Sequence, residues 1–205
     1  MRLRKSIEEM FGIQACGNAL FYAYPDGLRF ELSEGGEPIE QVLTAMRKAS
    51  LVCEDLFDAV DSITVCLRRF VGNDKFALRK VLRELKNAGI KIPEKREIWF
   101  DLVPREDRFD EDIEEWWVNV VFELPTTKLQ SLFWCAFTVD FPSLRPNPHC
   151  DLYIFNLKER ILVHPYDERG MDIIGPNKGI LKKLYVKHNR LLLDYDRAKM
   201  SNSFE

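Results

Sequence analysis

Apolar residues recur at every third or fourth position in several stretches of the chain, the pattern of helices that bury one face. The clearest of these stretches begin at Pro38 and at Lys178, and a cap at Asn73 precedes a third. The run from Thr126 to Val139 is apolar on nearly every face and predicts a buried helix. The first ten residues predict one more short helix, and no ordered element is expected in the tail after residue 199.

Segments rich in aromatic and β-branched residues predict eight short strands. Six lie at 62–70, 97–103, 116–124, 151–157, 161–164 and 171–174, and two lie within 20–32, joined by a turn at Pro25-Asp26-Gly27. Because neighbouring strands follow each other through short connections, antiparallel pairing is favoured. The order of elements predicts an α+β fold: a mixed, mainly antiparallel sheet with about four to five helices packed on it, in a single domain over residues 1–205.

Composition narrows the class of protein. With 46% hydrophobic and 31% charged residues, the chain has ample material for a core. Thirty Lys and Arg against 33 Asp and Glu give a net charge of −3, so no basic field is available to hold nucleic acid or an anionic membrane. The five cysteines have irregular spacing and an odd number, which favours a reducing compartment. Without a signal peptide or an apolar run of about 20 residues, a cytoplasmic location is expected.

The most charged part of the chain is the segment 106–115, called the acidic segment below. It carries a local charge of −6, and the window 101–125 carries −7, so the rest of the chain has +4. Like charges held close together oppose folding, and charge runs are often merely solvated loops or helix starts. The alternative is a docking surface for a basic partner. The carboxylates concerned are Glu106, Asp107, Asp110, Glu111, Asp112, Glu114 and Glu115.

Two tryptophans, Trp116 and Trp117, follow the acidic segment directly. Side chains alternate between the two faces of a strand, so one indole is expected to point away from the core. An exposed indole beside clustered carboxylates has the composition of an interface hot spot with electrostatic steering. The pattern therefore favours a non-enzymatic protein-binding protein with a basic protein partner.

A second constellation lies in the sequence His164-Pro-Tyr-Asp-Glu-Arg-Gly-Met-Asp172. In the structural interpretation, Asp167 accepts backbone N–H groups in a turn, Gly170 adopts positive φ, and Arg169 pairs with Asp172 or Asp196. In the functional interpretation, the same groups form an active site with His164 as general base. The residues of undetermined role in this hypothesis are His164, Tyr166, Asp167, Arg169, Gly170, Asp172, Asp196 and Arg197.

The sequence contains no motif that indicates a metal site, a cofactor site or a specific reaction. The histidines and cysteines lack the short paired spacing of zinc sites, and the glycines at 170, 175 and 179 fit neither the dinucleotide fingerprint nor a phosphate-binding loop. No serine lies in a Gly-x-Ser-x-Gly motif, the turn that exposes the nucleophilic serine of α/β-hydrolases. The sequence therefore predicts no metal and no cofactor.

Three segments carry a family resemblance: Tyr24 to Leu32, His164 to Ile174, and Leu184 to Arg197. With the turn Tyr-Asp-Glu-Arg-Gly and the closing Asp-Tyr-Asp-Arg, the chain resembles the bacterial family called domain of unknown function 3885. The resemblance implies a cytoplasmic, single-domain bacterial protein and no particular reaction.

By analogy with other small acidic families, we expect an immunity protein that neutralises a basic toxin domain. The alternatives are an enzyme with its site at the turn 164–172, and a regulatory or structural interaction domain.

Overall fold

The computed structural model describes residues 2–72, 78–108 and 112–204, and one seven-stranded sheet organises them. The strand order is β1-β7-β6-β5-β2-β4-β3, and every neighbouring pair is antiparallel. The strands are β1 (Leu28–Glu31), β2 (Ser62–Gly72), β3 (Arg96–Leu102), β4 (Trp116–Pro125), β5 (Asp151–Asn156), β6 (Ile161–Asp167) and β7 (Gly170–Ile174). The fold is therefore α+β, as predicted.

Seven α-helices lie in the described part of the chain. They are α1 (Leu3–Phe11), α2 (Leu20–Ala23), α3 (Pro38–Phe57), α4 (Leu78–Asn87), α5 (Leu129–Phe137), α6 (Lys178–Lys187) and α7 (Arg197–Phe204). Four single turns of 3₁₀-helix occur at Arg105–Asp107, Thr126–Lys128, Asn189–Leu191 and Asp194–Asp196. The number of helices is thus somewhat higher than the four to five expected.

The alternation of side chains along the strands divides the core between the two faces of the sheet. In β2, Val65 and Leu67 belong to the larger cluster, to which α3 to α7 contribute, whereas Cys66 belongs to a smaller cluster under α1. We call these the first and the second face. Ile7 and Phe11 of α1 cover part of the second face. All five cysteines are free thiols.

Two local predictions were wrong. Residues 20–32 do not form two strands: Leu20–Ala23 is a helical turn, and only Leu28–Glu31 is a strand. The turn is held from far away in sequence, because the Phe21 N–H donates to the Asp172 carboxylate at 3.1 Å. The tail is also ordered, since Met200 and Phe204 of α7 are buried in the core. The helix cap predicted at Asn73 lies outside the described residues.

Candidate functional site

The acidic segment begins just after the edge strand β3. The carboxylates of Glu106, Asp107, Asp112 and Glu114 are exposed, and the Asp112 side chain lies 3.7 Å from an exposed Arg105 guanidinium. Asp110 and Glu111 lie outside the described residues. Glu115 corrects the sequence-based expectation: it is only 8% exposed, and its carbonyl accepts the N–H of Val103, the residue after β3, at 2.9 Å.

The two tryptophans lie on opposite faces of β4. Trp116 packs against the large core on the first face and is partly buried. Trp117 lies on the second face, where its ring contacts Phe70 at 5.4 Å between centroids and the Arg68 guanidinium lies 4.0 Å from its centroid. Neither indole is fully buried. Trp117, Phe70 and Arg68 form an aromatic and cationic cluster next to the end of the acidic segment.

The edge strand β3 has a row of exposed apolar side chains that the sequence analysis did not single out. Ile98, Phe100 and Leu102 lie on the first face and are 49%, 46% and 44% exposed. β3 is the last strand in the sheet order, and no described strand pairs with its outer edge. A long edge strand with exposed apolar side chains is a template for strand addition by another chain.

The apolar surface continues from β3 toward α4. A groove of about 310 Å³ there is lined by Leu82, Ile90 and Ile98 among others. The bases Lys91 and Arg96 also border it. Charge therefore changes sign along β3: residues 91–97 carry a net charge of +1, and the acidic segment that follows the strand carries −6.

In the turn after β6, the side chains of the predicted active site bond to each other. The Asp167 carboxylate accepts the Arg169 backbone N–H at 2.8 Å and the Arg169 Nε–H at 3.0 Å, and Arg169 Nη2 also contacts Asp167. Arg169 does not pair with Asp172 or Asp196; its second carboxylate is Asp140, at 3.7 Å. These bonds support the structural interpretation of the turn.

Gly170 serves a different purpose from the one predicted. Its φ is not positive. Instead, an added Cβ would lie 2.6 Å from the Phe30 carbonyl oxygen and closer still to the Tyr166 hydroxyl. Only a residue without a side chain fits between β1 and the Tyr166 ring at this point of the hairpin.

His164 is buried, at 6% exposed, and stacks on Tyr153 with 4.4 Å between ring centroids. Burial, together with the nearby Arg68 and Arg29, lowers the pKa of His164 to about 3. Neither ring nitrogen has a hydrogen-bond partner among the described residues. Such an imidazole is neutral at physiological pH and out of reach of a substrate, which argues against its use as a general base.

The three sequence segments that carried the family resemblance meet at Arg29. Its Nε and Nη2 donate to Asp172 at 2.8 and 3.1 Å, and its Nη1 donates to Asp196 at 3.2 Å. The Tyr22 hydroxyl donates to Asp196 at 2.9 Å. Arg197, beside Asp196, donates to the Leu192 carbonyl at 2.9 Å. Since both carboxylates are occupied by protein donors, this cluster ties the chain ends to the sheet.

Within the described residues, no group of three or more His, Cys, Asp or Glu side chains is arranged to hold a metal ion. Also within them, no helix has both the length and the apolarity needed to cross a membrane.

Fold and site together define an α+β protein whose single antiparallel sheet ends in an apolar edge strand followed by clustered carboxylates. The family model described as domain of unknown function (DUF3885) matches residues 3–196, so the chain belongs to this family. No curated protein and no solved structure matches the chain.

Sequence reasoning missed Arg29 and the row Ile98, Phe100 and Leu102. Arg29 lies in the first of the three resembling segments, which is the signal that could have indicated it. The apolar row was visible as alternation in 97–103, but alternation alone does not tell which strand is at the edge of a sheet.

Proposed function

We propose that this chain is a non-enzymatic, cytoplasmic protein-binding protein that docks an extended segment of a basic protein on β3 and the acidic segment. The observation that carries the proposal is the apolar row Ile98, Phe100 and Leu102 on an edge strand that leads into exposed carboxylates. A strand added to β3 would gain main-chain hydrogen bonds and cover this row.

The charges at the two ends of β3 indicate which charge a partner segment carries and in which direction it runs along the strand. Lys91, Lys95 and Arg96 against Glu94 and Glu97 give the start of β3 a net charge of +1, while the acidic segment after its end carries −6. A partner segment that is apolar in the middle and rich in Lys and Arg at the end facing the acidic segment fits this gradient. A basic toxin domain, neutralised by this chain as its immunity protein, is a partner of that kind.

A second copy of this chain fits the edge less well. If two β3 strands paired in antiparallel fashion about Trp99, Glu97 of one copy would lie opposite Asp101 of the other on the same face. Like charges directly opposite each other destabilise a strand pair. Compared with a second copy in this register, a heterologous basic segment is the favoured occupant.

The test measures binding of the purified products of adjacent genes to the immobilised full-length chain. We expect a basic product to bind, and Phe100→Lys to weaken its affinity at least tenfold, because a charge replaces an apolar contact at the centre of the surface. Val186→Lys is the matched control, since Val186 is an exposed apolar residue on α6.

Two results would contradict the proposal. One is a bound basic product whose affinity is the same for Phe100→Lys and for wild type. The other is a dimer of the wild-type chain, seen by sedimentation, that Phe100→Lys converts to a monomer, because β3 would then be a surface for self-association.

A further inference from the structure

A cavity of about 450 Å³ lies on the second face of the sheet, beneath the N-terminal segment. Helix α1 and the loop 12–18 form its wall, and its floor comes from three adjacent strands, β2, β4 and β3. The floor residues are Arg68, Asn119, Trp99 and Asp101. A volume of this size is in the range of small-molecule sites.

The floor of this cavity is polar although it continues an apolar face. Under α1 the same face carries Cys66, Val121 and Phe155, which are buried in the smaller core. One step further along β2 and β4, Arg68 and Asn119 lie opposite each other in register. Folding alone would be served by apolar residues here, because polar groups under a covering segment cost free energy unless they are bonded.

Four charged side chains line the cavity, and two of them, Arg4 and Glu8, pair with each other at 2.7 Å. The other two, Arg68 and Asp101, are not joined by an ion pair in the described part of the chain, and neither is Arg68 to Asp151, which lies opposite it in register on β5. For Arg68 and Asp101 the reason is spatial: β4 lies between their strands, so the two backbones are about 10 Å apart.

The side chains of Asp101 and Arg68 are each held in position by a neighbouring side chain. Asn119 is 1% exposed and its amide Nδ2 donates to the Asp101 carboxylate at 2.7 Å. The Arg68 guanidinium is supported by the Trp117 ring, whose centroid is 4.0 Å away. Groups that are fixed in position before a ligand arrives lose less entropy on binding it.

We propose that this cavity binds a small zwitterion of the amino-acid class, with the ligand carboxylate on Arg68 and the ligand ammonium on Asp101. A guanidinium binds a carboxylate through two parallel N–H donors, and a carboxylate is the natural acceptor for an ammonium group. The site faces away from the row Ile98, Phe100 and Leu102, so it goes beyond the proposed protein-binding function and does not depend on it.

The experiment screens the 20 free L-amino acids one at a time, at about 10 mM, by thermal shift of the full-length chain, because a ligand that binds only the folded state raises the melting temperature. Isothermal titration then gives the affinity of each hit. We expect at least one amino acid to bind. Its amine lacking the carboxylate and its acid lacking the ammonium should each bind at least tenfold more weakly.

Variants assign the two contacts. Asp101→Asn keeps the shape of the side chain and Arg68→Gln removes the guanidinium, and each should weaken the hit at least tenfold. The matched controls, Asp58→Asn and Arg47→Gln, change exposed charges outside the cavity and should leave the affinity for the hit unchanged. Circular dichroism of each variant without ligand verifies that it is folded, and Arg68→Lys replaces Arg68→Gln if it is not.

Three outcomes would overturn the inference. The first is that no amino acid raises the melting temperature of the chain. The second is that the hit binds Asp101→Asn and Arg68→Gln as tightly as wild type. The third is that the acid lacking the ammonium binds as well as the amino acid, which would leave only an anion site at Arg68.

Discussion

Arg29 and Asp172 lie opposite each other on the neighbouring strands β1 and β7, with Nε and Oδ1 2.8 Å apart. Asp172 is 1% exposed, and the same guanidinium also reaches Asp196 near the end of the chain. The Asp172 carboxylate also accepts the Phe21 N–H. Arg29 therefore connects an N-terminal helical turn, the sheet and the C-terminal segment.

Replacement of Arg29 should be strongly destabilising. Arg29→Met keeps an apolar stem but leaves the buried carboxylates of Asp172 and Asp196 without their cation, which should cost about 3–5 kcal/mol. The control is Lys5→Met, which breaks the exposed pair Lys5–Glu9 and should cost less than about 1 kcal/mol. Urea denaturation measures both. Equal losses for the two variants would show that Arg29 does not have this connecting role.

The second prediction concerns Gly170, where no space is left for a side chain. Gly170→Ala forces an added Cβ against the Phe30 carbonyl and the Tyr166 hydroxyl, so the hairpin must shift, and we expect a loss of about 2 kcal/mol or more. Gly179→Ala, in α6, meets only the Asn177 side chain at 3.7 Å and should stabilise the chain by about 0.5–1 kcal/mol. The melting temperatures should move in opposite directions; two shifts of the same sign would refute the steric argument.

His164 should make stability depend on pH. Its pKa is about 3 in the folded chain, below the ordinary value near 6.5 that applies when the chain is unfolded. The unfolded chain therefore binds the proton first, and acidification from pH 7 toward pH 3 favours unfolding. At pH 5 this effect amounts to about 2 kcal/mol.

The variant His164→Phe isolates this effect, because phenylalanine can stack on Tyr153 and does not titrate. The loss of stability between pH 7 and pH 5, from urea denaturation at each pH, should be smaller in the variant by about 2 kcal/mol. If wild type and variant lose the same amount, the imidazole does not remain neutral in the folded chain.

Local patterns predicted the elements whose residues contact each other within one helix or between adjacent strands. The helix from Pro38 and the alternating strand from Ser62 were found in this way. The turn at Leu20–Ala23 was not, because the bond that fixes Phe21 comes from Asp172, 151 residues later. The order in α7 was missed for the same reason: burial of Met200 and Phe204 depends on the core that receives them.

In the candidate site, too, only the features that depend on the local sequence could be predicted. Exposure of Glu106, Asp107 and Glu114 could be predicted, since clustered carboxylates avoid burial. The burial of Glu115 could not, because the local charge pattern does not distinguish this residue from its exposed neighbours. The position of β3 at the edge depends on the order of all seven strands, which is not encoded in its own seven residues.

The central claim is that a basic protein partner is steered to β3 by the acidic segment. The most direct measurement is the association rate of that partner as a function of salt. It compares wild type with a triple variant, Glu106→Gln, Asp107→Asn and Glu114→Gln. A second triple variant, Glu54→Gln, Asp58→Asn and Asp61→Asn, removes as many exposed carboxylates at the other end of β2.

The account predicts that the first variant slows association by about 10-fold or more at low salt, and that the difference vanishes near 1 M salt, where charges are screened within about 3 Å. The second variant should associate nearly as fast as wild type. Equal association rates for both triple variants at every salt concentration would contradict the account.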